Sequence, residues 1–147
     1  MLDIDARLAG AIYGHFAAEA RAPGVAEMAA AIGASEADVR SGYARLYARR
    51  MLVMMPDGES IRMAPPFSGV PTQHVVRAGG HEYFANCAWD ALGVPAALHA
   101  EAEVRSGCGC CGAPLALHVA GNGPESSSWV FHAAVPAAHW WRDIVYT

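Results

Sequence analysis

A thiol and a carboxylate stand three residues apart in "EYFANCAWDALG" (residues 82–93), Cys87 and Asp90, within an otherwise apolar stretch of helical character. On a helix that spacing puts both side chains on one face, within reach of the same bound atom. A cysteine at a helix start gains from the macrodipole, which favours the thiolate and makes it a better nucleophile and soft-metal ligand. Asp90, one turn on, could give a proton to, or take one from, whatever the sulfur holds. The same spacing also suits a buried thiol packing as a small hydrophobe beside a surface carboxylate, and spacing does not choose between the two.

A second group of thiols lies in "SGCGCCGAP" (residues 106–114), where Cys108, Cys110 and Cys111 fall within four positions among glycines that let the backbone fold round an ion. Thiolates select Cu(I), zinc or heavier thiophilic metals. A closed tetrahedral zinc site draws four ligands from two separated pairs, so this cluster supplies part of a shell. His99 and His118 are near in sequence and could add to it. A glycine-rich turn with incidental cysteines is the plainer alternative.

The elements that must position these groups can be read from periodicity. Leu8, Ile12 and Phe16 recur every four residues from Ile4 to about Ala20, an amphipathic helix ended by "RAPG". Val25, Met28, Ala29 and Ile32 mark a short second helix that turns at Gly33. Ser35 with Asp38 three residues on resembles a capping box opening a third helix, so the pair reads as helix-turn-helix. Two short apolar runs around Pro56-Asp57-Gly58 follow as a hairpin. Three helices and a hairpin make a winged-helix-like part, with Tyr43, Leu46 and Tyr47 on the packed side of the third helix. "APPFSGVPTQHVVRAGG" reads as a linker or extended crossover, which sets a domain boundary near residue 78. Residues 79–147 then hold the helix with Cys87 and Asp90, stopped by Gly93 and restarted after Pro95. Three strand-like runs, "AEVRSG", "PLALHVA" and "WVFHAAV", and a short "AAHWWRD" helix leading into "IVYT" complete them. The fold class is α+β.

Several function classes are disfavoured by bulk properties. The 147 residues are 54% hydrophobic and 16% charged, which suits a folded chain rather than a disordered one. A formal charge of -4 provides no global basic field, so the charge balance does not point to nucleic acid, DNA included, as a partner. Arg40, Arg45, Arg49 and Arg50 lie on or just past the third helix, where a DNA reader carries its recognition residues, yet a solvated charged face is the commoner origin of such a pattern. The four tryptophans, Trp89, Trp129, Trp140 and Trp141, read as core or pocket walls. The N-terminus lacks a basic stretch followed by an apolar core, and no apolar run is long enough for a bilayer. The expectation is a cytoplasmic protein without a membrane partner, whose reduced thiols serve metal binding or catalysis rather than disulfides.

"YFANCAWDALGVPAAL", "EVRSGCGCCGAPLALHV" and "WVFHAAVP", in this order and spacing, resemble the organomercurial lyases, the MerB-type alkylmercury lyases, over about residues 74–147. The resemblance implies a small helix plus mixed or antiparallel sheet unit behind a winged-helix-like region that usually does not bind DNA. It implies protonolytic cleavage of a carbon–mercury bond, with Cys87 as the catalytic cysteine that captures mercury and Asp90 as the catalytic aspartate. Cys108 matches a cysteine held to be structural. No organic cofactor is implied; mercury is substrate and product ion, another thiophilic metal could replace it, and cellular thiols would remove the product.

Two departures from the family pattern accompany this. The family's second catalytic cysteine follows a segment like "WWRDIVYT", and no such residue precedes the end at Thr147. The expectation is either a C-terminally truncated piece or a protein without that thiol, in which Cys110 or Cys111 stands in. Asn86 occupies a position where a large aromatic is usual. The metal-ligand candidates are therefore Cys87, Cys108, Cys110 and Cys111. The rival readings are a metal-responsive winged-helix transcriptional regulator with a cysteine sensing site, and a plain zinc- or copper-binding protein.

Overall fold

The structure is a computed structural model that describes residues 3–146; Met1, Leu2 and the final Thr147 of "IVYT" lie outside the described residues. Helix α1 (Ile4–Glu19) buries Leu8, Ile12 and Phe16. It is followed by α2 (Val25–Ile32), which buries Val25, Met28, Ala29 and Ile32 and ends at Gly33 in the left-handed region with φ 61°. Helix α3 (Glu36–Ala48) opens on the capping box read from the sequence: Ser35 Oγ accepts from the Asp38 N–H at 3.1 Å and donates to the Asp38 carboxylate at 2.6 Å. Asp5, buried in α1, accepts from Arg45 of α3 at 2.7 Å, which ties the two helices together. The arginine guanidinium holds the Asp5 carboxyl below its ordinary value.

Strands β1 (Val53–Met54), β2 (Ile61–Ala64) and β3 (Phe67–Ser68) form an antiparallel sheet in that order. Asp57 builds the β1–β2 turn by accepting from the N–H groups of Glu59 and Ser60, each at 2.8 Å. A second antiparallel sheet contains β4 (Val75–Ala78), β5 (His81–Phe84), β6 (Ala102–Gly107), β7 (Pro114–Ala120) and β8 (Gly123–Pro124), in the order β5-β4-β6-β7-β8. Helix α4 (Ala88–Leu98) packs on β4 and β6.

One hydrophobic core runs through both halves of the chain. Phe67 is its hinge point: it stacks on Phe16 of α1 at 5.3 Å, meets Tyr83 of β5 at 5.8 Å, and bridges in backbone to Ala85. The segment read as a linker or extended crossover supplies β3 and β4. Its prolines and glycines mark bends between short strands. A line drawn at residue 78 falls at the last residue of β4, whose partners β5 and β6 both follow it.

Other expectations are corrected. Helix α4 is continuous through Gly93 and Pro95 rather than broken there. Gly93 lets the helix approach Pro66, because a Cβ at that position would lie 3.0 Å from the proline ring. "WVFHAAV" forms no strand, and Trp129, Val130 and Phe131 are exposed. Strand propensity needs a partner edge, and the neighbouring β8 is two residues long and ends in a proline with no N–H to pair. The "AAHWWRD" helix is a 3-10 turn, Ala137–Arg142. Tyr47 is exposed, unlike Tyr43 and Leu46, and Trp89 is 55% exposed, resting against Phe131 at 5.4 Å rather than lining the core.

Candidate functional site

Cys87 is the residue just before the first turn of α4, and its position follows from the strand that precedes it. Strand β5 ends at Phe84, the Ala85 N–H donates to His74 O at 2.9 Å, and Thr72 Oγ donates to Ala85 O at 2.6 Å. These bonds pin the chain as it leaves the sheet, so the Cys87 sulfur accepts from the Asp90 N–H at 3.5 Å in place of the usual cap oxygen. The Cys-x-x-Asp spacing is thus a cap-and-first-turn relationship. It brings the two side chains together, with the thiol donating to the Asp90 carboxylate.

The surroundings of the pair set its protonation. Burial pushes the Cys87 thiol above its ordinary value; N–H groups of Asp90 and Trp89 pull it down, while the Asp90 charge pushes it further up. The activated thiolate expected from the helix start is therefore not what prevails: the desolvation cost of the charged form outweighs the helix N–H groups. Burial also raises the Asp90 carboxyl, against hydrogen bonds from Asn86 and Cys87 that lower it. Burial thus raises the pKa of both groups, and the Asp90 N–H to Cys87 sulfur bond joins the two residues.

Asn86 is the site residue whose role the sequence reading missed. Its Nδ2 lies 3.0 Å from Asp90 Oδ2 and 3.2 and 3.3 Å from the carbonyls of Phe67 and Pro66, so it fastens the carboxylate to the β2–β3 region. Its Oδ1 is buried without a partner among the described residues. Tyr13 of α1 is also close enough to feel the Asp90 charge, which adds to burial in raising its phenol. Asn86 was visible as an unusual neighbour of Cys87; nothing in sequence connects Tyr13 to this site.

Cys108, Cys110 and Cys111 occupy the turn between β6 and β7, with Cys108 half-buried and the other two exposed. The Cys108 sulfur accepts from the N–H groups of Cys111 and Cys110 and meets the Cys111 thiol, which together hold its pKa below the ordinary value. Among the described residues, no three His, Cys, Asp or Glu side chains gather to hold a metal ion, so the four cysteines do not close into one cage. His118 turns instead to Glu103 at 2.7 Å across the β6–β7 pair, and His99 ends α4 in the left-handed region. The arginines of α3 are engaged by acids: Arg40 with Glu36 and Glu59, Arg45 and Arg49 with Asp5. No helix among the described residues is long and apolar enough to cross a membrane.

The family model for alkylmercury lyase, MerB, matches residues 67–147. A comparison with curated proteins gives no match. Among solved structures, one described as the crystal structure of the mercury-bound form of MerB2 is similar, with a TM-score of 0.66 and 23% identity over 83% of this chain. The chain spans 60% of the length of that protein.

Proposed function

Because the chain belongs to the alkylmercury lyase family, whose model covers more than half of it, we propose that it cleaves carbon–mercury bonds of small organomercurials, with Cys87 and Asp90 as its catalytic residues. The observation that carries this reading is the partly buried Cys87–Asp90 pair, in which the Asp90 N–H donates to the Cys87 sulfur and burial raises the pKa of both side chains.

The substrate is an organomercurial already carrying one cellular thiolate. Cys87 adds its sulfur to mercury while its proton passes to the Asp90 carboxylate, so charge is conserved within the pair. The added soft ligand weakens the bond between mercury and carbon. Asp90 then delivers the proton to carbon as that bond breaks, which releases the hydrocarbon and leaves mercury held by Cys87 and the cellular thiolate. A raised carboxyl pKa suits this step, because the acid keeps its proton until carbon takes it. Asn86 positions Asp90 by holding one carboxylate oxygen.

The test is benzene release from phenylmercury acetate with excess thiol. Release by the unaltered chain should fall by about 10²-fold or more in Cys87→Ser and in Asp90→Asn, the scale expected for loss of a nucleophile or a proton carrier. Equal rates in the unaltered protein and both variants would reject the assignment.

A further inference from the structure

The turn between β6 and β7 has features that the Cys87–Asp90 site leaves unused. Cys108 and Cys111 stand at the two ends of a Cys-Gly-Cys-Cys segment closed by two backbone bonds, Cys108 N–H to Ala113 O at 2.9 Å and Gly112 N–H to Cys108 O at 2.8 Å. Gly112 takes φ +71°, a conformation that favours glycine, and turns the chain back toward β7. The Gly112 N–H to Cys108 O bond closes one helical turn, in which residues three apart, such as Cys108 and Cys111, fall on the same side. A Cβ added at Gly109 or Gly112 would touch nothing within 4 Å, so the turn is open to arriving ligands.

Its place in the sheet matters as much as its chemistry. Phe84 of β5 pairs with Val75 of β4, and Val75 pairs with Arg105 of β6. Cys87 lies three residues beyond Phe84 and Cys108 three beyond Arg105, so both chain exits leave the same end of the sheet. They are separated by β4 alone, two strand spacings or about 10 Å.

We propose that Cys108 and Cys111 form a second thiolate site, a two-sulfur clamp for a soft ion that prefers linear coordination, and that it accepts the mercuric ion from Cys87. The clamp stands on its own geometry; its part as acceptor rests on the lyase reading above. A pair of sulfurs, with no third ligand gathered beside it among the described residues, fits mercuric ion or Cu(I) and leaves zinc's tetrahedral shell incomplete. The exchange balances. Mercury held by Cys87 and a cellular thiolate meets two protonated thiols, becomes bound by Cys108 and Cys111, and the two protons leave on Cys87 and the released cellular thiol. Cys87 is then free for another substrate.

The experiment loads Cys87→Ser protein with mercuric chloride, washes it with excess glutathione, and measures retained mercury per chain, its sulfur neighbours by X-ray absorption, and molecular size. The expected result is one mercuric ion per chain with two sulfur neighbours on a monomer, kept when Cys110→Ser is added. Adding Cys111→Ser, at an exposed position, should weaken retention by about a hundredfold, the effective-concentration advantage of a second ligand on the same chain. No retained mercury in Cys87→Ser, loss on Cys110→Ser instead, or mercury bridging two chains would each overturn the clamp. Cys111→Ser alone should slow repeated benzene release when free thiol is scarce, and excess thiol should restore it; unchanged repeated turnover at scarce thiol would overturn the acceptor role. Retained mercury in Cys87→Ser without benzene release by the unaltered protein would reject the lyase reading and leave the clamp standing.

Discussion

At the scale of single residues, the thiol of Cys87 is governed by two opposed influences that the sequence names but does not weigh. Helix N–H groups lower its pKa, whereas burial and the Asp90 charge raise it, and burial is the largest cause. Alkylation by iodoacetamide, followed at Cys87 by peptide mass spectrometry, should therefore be slower at neutral pH than for an ordinary thiol and keep rising beyond pH 9.0, the ordinary value. Asp90→Asn removes a negative charge and the acceptor of the thiol proton, so the Cys87 pKa falls and neutral-pH alkylation accelerates. The same variant loses benzene release, and this opposite movement separates a proton carrier from a residue that merely activates sulfur. Slower alkylation in Asp90→Asn would contradict the electrostatic account.

At the scale of elements, the site depends on how β3 is seated. Gly69 donates its N–H to Arg62 O at 2.8 Å, and a Cβ there would come 2.1 Å from the backbone oxygen of Ile61. That oxygen belongs to a paired strand and cannot swing aside as a side chain could. Gly69→Ala should cost about 1–3 kcal/mol, the usual penalty of forcing atoms into a packed site, and be read as a lower urea midpoint. The carbonyls of Pro66 and Phe67 that receive Asn86 are close by in the same segment, so the variant should also lower benzene release. A stability equal to that of the unaltered protein would show that β2 and β3 are not packed as described. The elements themselves were unevenly legible. Helices α1 to α3 and the β1–β2 turn follow from apolar spacing, the Ser35–Asp38 cap and Asp57-Gly58, all short-range signals. Strands β3 and β4 were hidden in a proline- and glycine-rich stretch because they are short and owe their existence to partners elsewhere in the chain.

At the scale of the whole molecule, Phe67 joins what reads in sequence as two units. Its ring lies between α1 and β5, with Phe16 stacked at 5.3 Å and Tyr83 at 5.8 Å. Phe67→Ala should cost about 3–5 kcal/mol by opening a cavity in the core. Unfolding monitored in each half, by hydrogen exchange of α1 and of β6, should shift together, as a shared core requires. Protection lost in one half alone would restore two independently folding domains, residues 1–78 and 79–147.

The Cys87–Asp90 pair and the crowding of Cys108, Cys110 and Cys111 were determined by the sequence itself, because neighbours within four residues meet through local turn geometry whatever the rest of the chain does. So were the three N-terminal helices, whose apolar stripes repeat at the helical period. Only the tertiary structure decided that Asn86 fastens Asp90 to the carbonyls of Pro66 and Phe67, and that Tyr13 lies near enough to feel its charge. It also decided that burial overrides the helix start at Cys87, and that the two cysteine groups leave the same end of one sheet. These depend on desolvation and on strand register, quantities that arise from contacts between distant residues and leave no local mark in the chain.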